Sequence, residues 1–165
     1  MAQWGADARY TRLVRQHGTT LLHLAMLLTG NRFDAEDVVQ DVLISVAAKW
    51  SVAEPASTFA YLKRAVANRS IDVIRKRREV PTERLPETLV EERGFLRHED
   101  DERFFELVRT LPDRQRATII LRYSADLDDR AIAQILEVSV ETVRSQAKHA
   151  LAKLRAEHAL GKDPS

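Results

Sequence analysis

Residues 131–155 read AIAQILEVSVETVRSQAKHALAKLR, and this stretch decides the fold. Its apolar residues Ile132, Ala133, Leu136, Val138, Val143, Ala147, Leu151 and Leu154 have the spacing of two helices packed at a steep angle. Asp128 is placed to cap the first helix. Ser139 is placed to cap the second, with Thr142 three residues on. The small Ala133 lets the two helices approach closely. This is the layout of a helix-turn-helix, whose second helix lies in the major groove with its N-terminal half facing base edges. Glu141, Thr142, Arg144, Ser145, Gln146, Lys148 and His149 point outward there. Arg144 and Gln146 can form paired hydrogen bonds to a base edge. Lys148 and Lys153 suit phosphates, which position a protein on DNA without specifying sequence. A solvated amphipathic hairpin with no nucleic-acid partner has the same apolar pattern. Glu137 also occupies the place where the turn usually carries glycine.

Working outward, Pro112 fits the first turn of a preceding helix that runs to about Tyr123, with Ala117, Ile120 and Leu121 as its apolar positions. Phe104, Phe105, Leu107 and Val108 give a shorter helix before it, and the unit as a whole spans 101–158. Residues 79–100 read as a flexible acidic linker. Pro81 and Pro86 block helix continuation, Gly94 adds freedom, and a short helix fits around 87–96. Fully extended, the linker reaches roughly 70 Å.

A first unit, 8–78, precedes the linker. Its first helix covers about 8–28, with Leu13, Val14, His17, Leu21, Leu24, Ala25 and Leu28 at helical spacing, and stops at Thr29-Gly30-Asn31. The second begins after Asp34 as cap, with Asp37 at the third helical position. Ala35, Val38, Val39, Val42, Val46 and Trp50 form its apolar side. Glu36, Asp37, Gln40, Asp41 and Ser45 form a polar, acidic side. Residues 51–57 contain Pro55 and read as a loop. A third helix, interrupted or continuous, covers about 58–78, with Phe59, Leu62, Val66, Ile71, Val73 and Ile74 toward the core.

Charge is segregated along the chain although the net charge is only +1. Within 59–78 seven basic residues (Lys63, Arg64, Arg69, Arg75, Lys76, Arg77 and Arg78) face the single acid Asp72. Within 79–106 ten acids face four arginines. A basic block beside an acidic one indicates a polyanion contact and a separate connector. Phe59 and Tyr61 stand near the basic helix as base-stacking groups. The competing reading is a solvated helix end with the aromatics in the core.

Of 165 residues, 44% are hydrophobic and 31% charged, and glycine and proline number five each. The expected fold is all-α: two small helical domains joined by a flexible linker, the second containing the helix-turn-helix. With no cysteine, disulfides, thiolate catalysis and cysteine-held zinc are excluded. The first ten residues have no signal-peptide pattern, and the apolar run at 21–28 is too short to span a bilayer. A cytoplasmic protein without membrane insertion is expected. The consecutive acids after His98, up to Glu102, do not converge on an ion, and the plainer reading is a solvated acidic helix N-terminus. No catalytic residue, metal or cofactor is expected.

At this point the residues carry a resemblance. LLTGNRFDAEDVVQDVLISVAAKW (27–50) resembles the polymerase-binding segment of extracytoplasmic-function sigma factors. FAYLKRAVANRSIDVIRKRR (59–78) resembles their melting and −10 recognition segment, and LVRTLPDRQRATIILRY (107–123) the start of their second domain. The helix-turn-helix resembles their −35 reader. Ala60-Tyr61 and Val143–Gln146 look most like an actinobacterial subgroup. The resemblance implies a transcription initiation factor that binds core RNA polymerase, through the β′ clamp and β flap, and directs it to promoter DNA. It implies that Asp37, Gln40 and Asp41 dock on the clamp helices of β′. It implies −10 contacts from Asn68, beside a flipped base, and from Arg75, Lys76, Arg77 and Arg78, with Tyr61 on the same helix. It implies −35 contacts from Arg144, Ser145 and His149, with Thr142, Gln146 and Lys148 on the same helix. The family is often held inactive by an anti-sigma factor, which makes such a protein a further expected partner. Gln146 and Ala147 depart from the family's common arginine and bulky aliphatic residue, and Asp128 replaces its usual serine cap. The alternative is a stand-alone helix-turn-helix repressor or activator, which leaves the acidic helix and the linker unexplained.

Overall fold

The computed structural model describes residues 2–49, 58–79 and 99–160, and these fold into helices α1 to α7 with no strand among them. The chain divides into two compact units, Met1–Leu89 and Val90–Ser165. The loop read at 51–57, most of the linker read at 79–100 with its short helix, Trp50 and His98 lie outside the described residues.

The first unit is a three-helix bundle of α1 (Ala2–Thr29), α2 (Arg32–Lys49) and α3 (Thr58–Glu79), each packed against the other two. Its core takes Leu21, Leu24, Ala25 and Leu28 from α1, Ala35, Val38 and Val42 from α2, and Leu62, Val66 and Ile71 from α3. Each leucine, valine or isoleucine among them contributes roughly 1.5–3 kcal/mol on full burial. Helix α1 starts earlier than the apolar pattern marks. Residues 2–7 contain no proline, and Gly5 alone weakens helix propensity there. Helix α3 is continuous.

The junction of α1 and α2 corrects the expected cap. Gly30 takes a left-handed φ of 68°, and its N–H bonds to the Met26 carbonyl at 2.8 Å, which ends α1 abruptly. Asn31 follows at once and is itself the cap: its Oδ1 accepts from the Asp34 N–H at 3.1 Å. Asp34 is therefore the third helical residue of α2 rather than its cap, and Asp37 lies a full turn further in than expected. Freed from capping, Asp34 forms an ion pair with Arg77 at the end of α3. The Phe59 ring stacks on His17 of α1, with centroids 4.0 Å apart, and Lys63 lies 4.8 Å above it. Phe59 thus belongs to the α1–α3 packing.

The second unit contains α4 (Glu99–Arg109), α5 (Asp113–Tyr123), α6 (Asp129–Leu136) and α7 (Val140–Leu160). Helix α5 is its centre, packing on the other three. Four consecutive residues, Thr118, Ile119, Ile120 and Leu121, are buried, so every side of its middle turn is covered. Thr118 satisfies its hydroxyl by donating to the Arg114 carbonyl at 2.8 Å. Pro112 is the cap of α5 rather than a first-turn residue. Its ψ of 150° is extended, and its carbonyl accepts the Arg116 N–H at 2.9 Å.

Candidate nucleic-acid interface and docking face

The α6–α7 hairpin is built by its caps. Asp128 Oδ1 accepts from the Ala131 N–H at 2.8 Å. Ser139 Oγ accepts from the Thr142 N–H at 3.1 Å and shares a 2.9 Å hydrogen bond with the Thr142 hydroxyl. Glu137 holds the left-handed conformation, φ 55° and ψ 46°, that a turn glycine would take without strain. The Val138 N–H then reaches back to the Ala133 carbonyl at 3.0 Å, closing a Schellman arrangement. Ile132, Ala133, Val143 and Ala147 are buried between the helices.

On α7, Arg144, Ser145, Lys148 and His149 are exposed, and with Glu141 they follow the spacing of one helix face. Thr142 and Gln146 are half-buried at its edge. The Arg144 side chain is 67% exposed, and its Nε donates to Asp129 Oδ2 at 3.3 Å. The other oxygen of Asp129 is paired with Arg122 of α5. The Arg122 hydrogen bond, and then the Arg144 contact, hold the Asp129 carboxyl below its ordinary pKa, against the opposing effect of desolvation. The same bond raises Arg122 further above its already high value.

On α3, Tyr61 (56% exposed), Arg64 and Asn68 share the outer face, and Arg75 continues it with Asp72 at 3.9 Å. Lys76 and Arg78 are exposed at the helix end. Arg77 turns the other way, toward Asp34 of α2. The structure therefore gathers Tyr61, Asn68 and Arg75 on one face and sets Arg77 apart from them.

On α2, Asp37, Gln40 and Asp41 are exposed together. Asp41 Oδ2 receives Arg69 of α3 at 2.9 Å. Two large apolar residues flank these groups: Phe33 is 73% and Ile44 66% exposed. Phe33, Asp37, Gln40 and Ile44 follow one helical row. The sequence reading missed both apolar residues, although each falls outside the Ala35–Val38–Val42–Val46 stripe that defines the buried side. It also missed Asp129, which only the packing of α5, α6 and α7 identifies.

Comparison with known proteins places these surfaces in context. The chain matches the family model described as Sigma-70 region 2 over residues 13–80 and that described as Sigma-70, region 4 over residues 107–156. It is 31% identical to the RNA polymerase sigma-E factor of Streptomyces avermitilis, across 93% of this chain and 87% of that one. It is 30% identical to the ECF RNA polymerase sigma factor SigE of Mycolicibacterium smegmatis, across 88% of this chain and 60% of that one. Among solved structures, it is similar to the sigma factor RpoE of Bartonella quintana, crystallised with the anti-sigma factor NepR. That likeness has a TM-score of 0.60 at 25% identity and covers 94% of this chain and 99% of the other.

Proposed function

The chain belongs to the sigma-70 family, in its extracytoplasmic-function branch, and from that premise we propose how its two units divide the work of starting transcription. It is an initiation factor that binds core RNA polymerase, directs it to −10 and −35 promoter elements and assists melting. The observation that carries this is the pairing of region 2 and region 4 on one chain, each on its own helical unit.

The exposed row on α2 docks on polymerase. Asp37, Gln40 and Asp41 supply charge and hydrogen bonds, and Phe33 and Ile44 supply the apolar contacts that a tight protein interface needs. The outer face of α3 takes the −10 strand. Tyr61 offers a ring for stacking, Asn68 an amide for a flipped base, and Arg75, Lys76 and Arg78 charge for phosphates. Arg77 supports this face indirectly, by tying the end of α3 to α2. Helix α7 reads −35 duplex through Arg144, Ser145 and His149, with Lys148 on phosphate. The protein works as a binding factor in the cytoplasm, and bond-making is left to polymerase. A small anti-sigma protein, the class of partner bound by RpoE of Bartonella quintana, is its natural inhibitor.

Titration of core polymerase with the full chain tests this division. The wild type binds core, and sequence-selective promoter binding arises only in the complex. Asp37→Ala/Asp41→Ala weakens core binding by about tenfold or more. Its fold stability changes by less than about 1 kcal/mol, because only an exposed ion pair is lost. Equally tight, selective duplex binding by the free chain would instead indicate a stand-alone repressor.

A further inference from the structure

Asp129 divides its two oxygens between two arginines. Oδ1 holds Arg122, which rises from the central helix α5. Oδ2 accepts from Nε of Arg144, on the exposed face of α7, at 3.3 Å. Arg122 and Asp129 are each about three-quarters covered, with 26% side-chain exposure, while Arg144 keeps 67%. A largely covered ion pair thus grips a solvent-facing guanidinium from behind. Among the described residues the two terminal nitrogens of Arg144 meet no acceptor. With Nε occupied, the edge left to the ligand is the end-on pair of Nη groups. That edge matches the O6 and N7 acceptors of guanine in the major groove. A long side chain fixed in this way loses less freedom on binding, so more of each hydrogen bond is expressed as selectivity.

The geometry points to Asp129 as the positioning residue for −35 readout: buttressed by Arg122, it aims the terminal edge of Arg144 at one guanine. This rests on the reading of α7 as the −35 helix. Asp129 itself touches no base in this scheme and acts through Arg144.

The test uses holoenzyme assembled from core polymerase and the full chain, transcribing a promoter library randomised across the −35 element. Transcripts are sequenced to give base preferences for wild type, Arg144→Ala, Asp129→Asn, Asp129→Glu and the Asp129→Asn/Arg144→Ala double variant. Thermal unfolding of each chain accompanies the assay. The wild type should prefer guanine at one position, and Arg144→Ala should abolish that preference. Asp129→Asn should reduce it about three- to tenfold at that position alone, and Asp129→Glu should restore part of it. The double variant should match Arg144→Ala, since Asp129 has nothing left to aim. An unchanged guanine preference in Asp129→Asn, beside its loss in Arg144→Ala, overturns the inference and leaves the α7 reading intact. A loss spread evenly over all −35 sequences also overturns it, because that is the mark of a structural residue. If Arg144→Ala keeps every base preference, the α7 reading fails and this inference falls with it.

Discussion

Asp129 shows what a single carboxylate does here. Its pKa is lowered chiefly by the hydrogen bond from Arg122, so the folded protein holds the ionised form more strongly than the unfolded chain does. The stabilisation is therefore complete above the unfolded carboxylate pKa, about 4, and is lost as pH falls through the lower folded value. We expect Asp129→Asn to melt below wild type at neutral pH, and the gap to close in acid below about pH 4. Thermal unfolding across a pH series measures this, and a gap that persists undiminished in strong acid contradicts it. Some residues of this kind were legible in the sequence and others were not. Asp128 and Ser139 cap helices as expected because capping is local, depending on a side chain and an N–H three residues away. The Asp34–Arg77 and Asp129–Arg144 pairs join different helices. No local spacing rule finds them. Asp34 was misread for a related reason: Asn31 has the same capping chemistry one turn earlier, and only the conformation of Gly30 decides between them.

At the scale of the element, the α6–α7 turn keeps its geometry at a cost. Glu137 is left-handed without being glycine, a conformation that costs about 1 kcal/mol or more for a residue bearing a Cβ. Glu137→Gly should stabilise the full chain by about 1 kcal/mol, seen as a higher thermal midpoint, without altering base preference. A lower midpoint would mean that the Glu137 side chain compensates for its backbone. The helix-turn-helix was readable because each helix starts at a side-chain cap and keeps a periodic apolar stripe. Helix α5 was less so: Thr118 and Ile119 are as buried as Ile120 and Leu121, and a helix covered on every side has no single apolar face to mark. Helix α2 held the opposite surprise, with Phe33 and Ile44 left outside the core. Phe33→Ala should leave thermal stability within about 0.5 kcal/mol of wild type, as expected for a surface change. It should still weaken binding to core polymerase, as measured by titration. A large loss of stability would place Phe33 in the fold rather than the dock.

On the scale of the whole molecule, the two units present different surfaces. The first carries an acidic-apolar row on α2 and a basic, aromatic face on α3, and the second carries the exposed polar face of α7. The net charge of +1 hides a strongly basic α3, and the acidic stretch that offsets it lies mostly outside the described residues. Phosphate contacts release counterions, so holoenzyme affinity for promoter DNA should fall steeply with salt. Lys76→Gln should lower the slope of log affinity against log salt by about one, with no change in base preference. A change confined to some DNA sequences would make Lys76 a base reader instead.

The central claim is that this chain starts transcription by bringing core polymerase to particular promoters. Run-off transcription with purified core polymerase on a fragmented genomic library tests it most directly, with polymerase alone and the Asp37→Ala/Asp41→Ala variant as controls. The account predicts discrete start sites that require the wild-type chain and weaken with the variant, each preceded by shared −35 and −10 sequences. No chain-dependent start sites, from a chain that still binds duplex DNA selectively by itself, would contradict it.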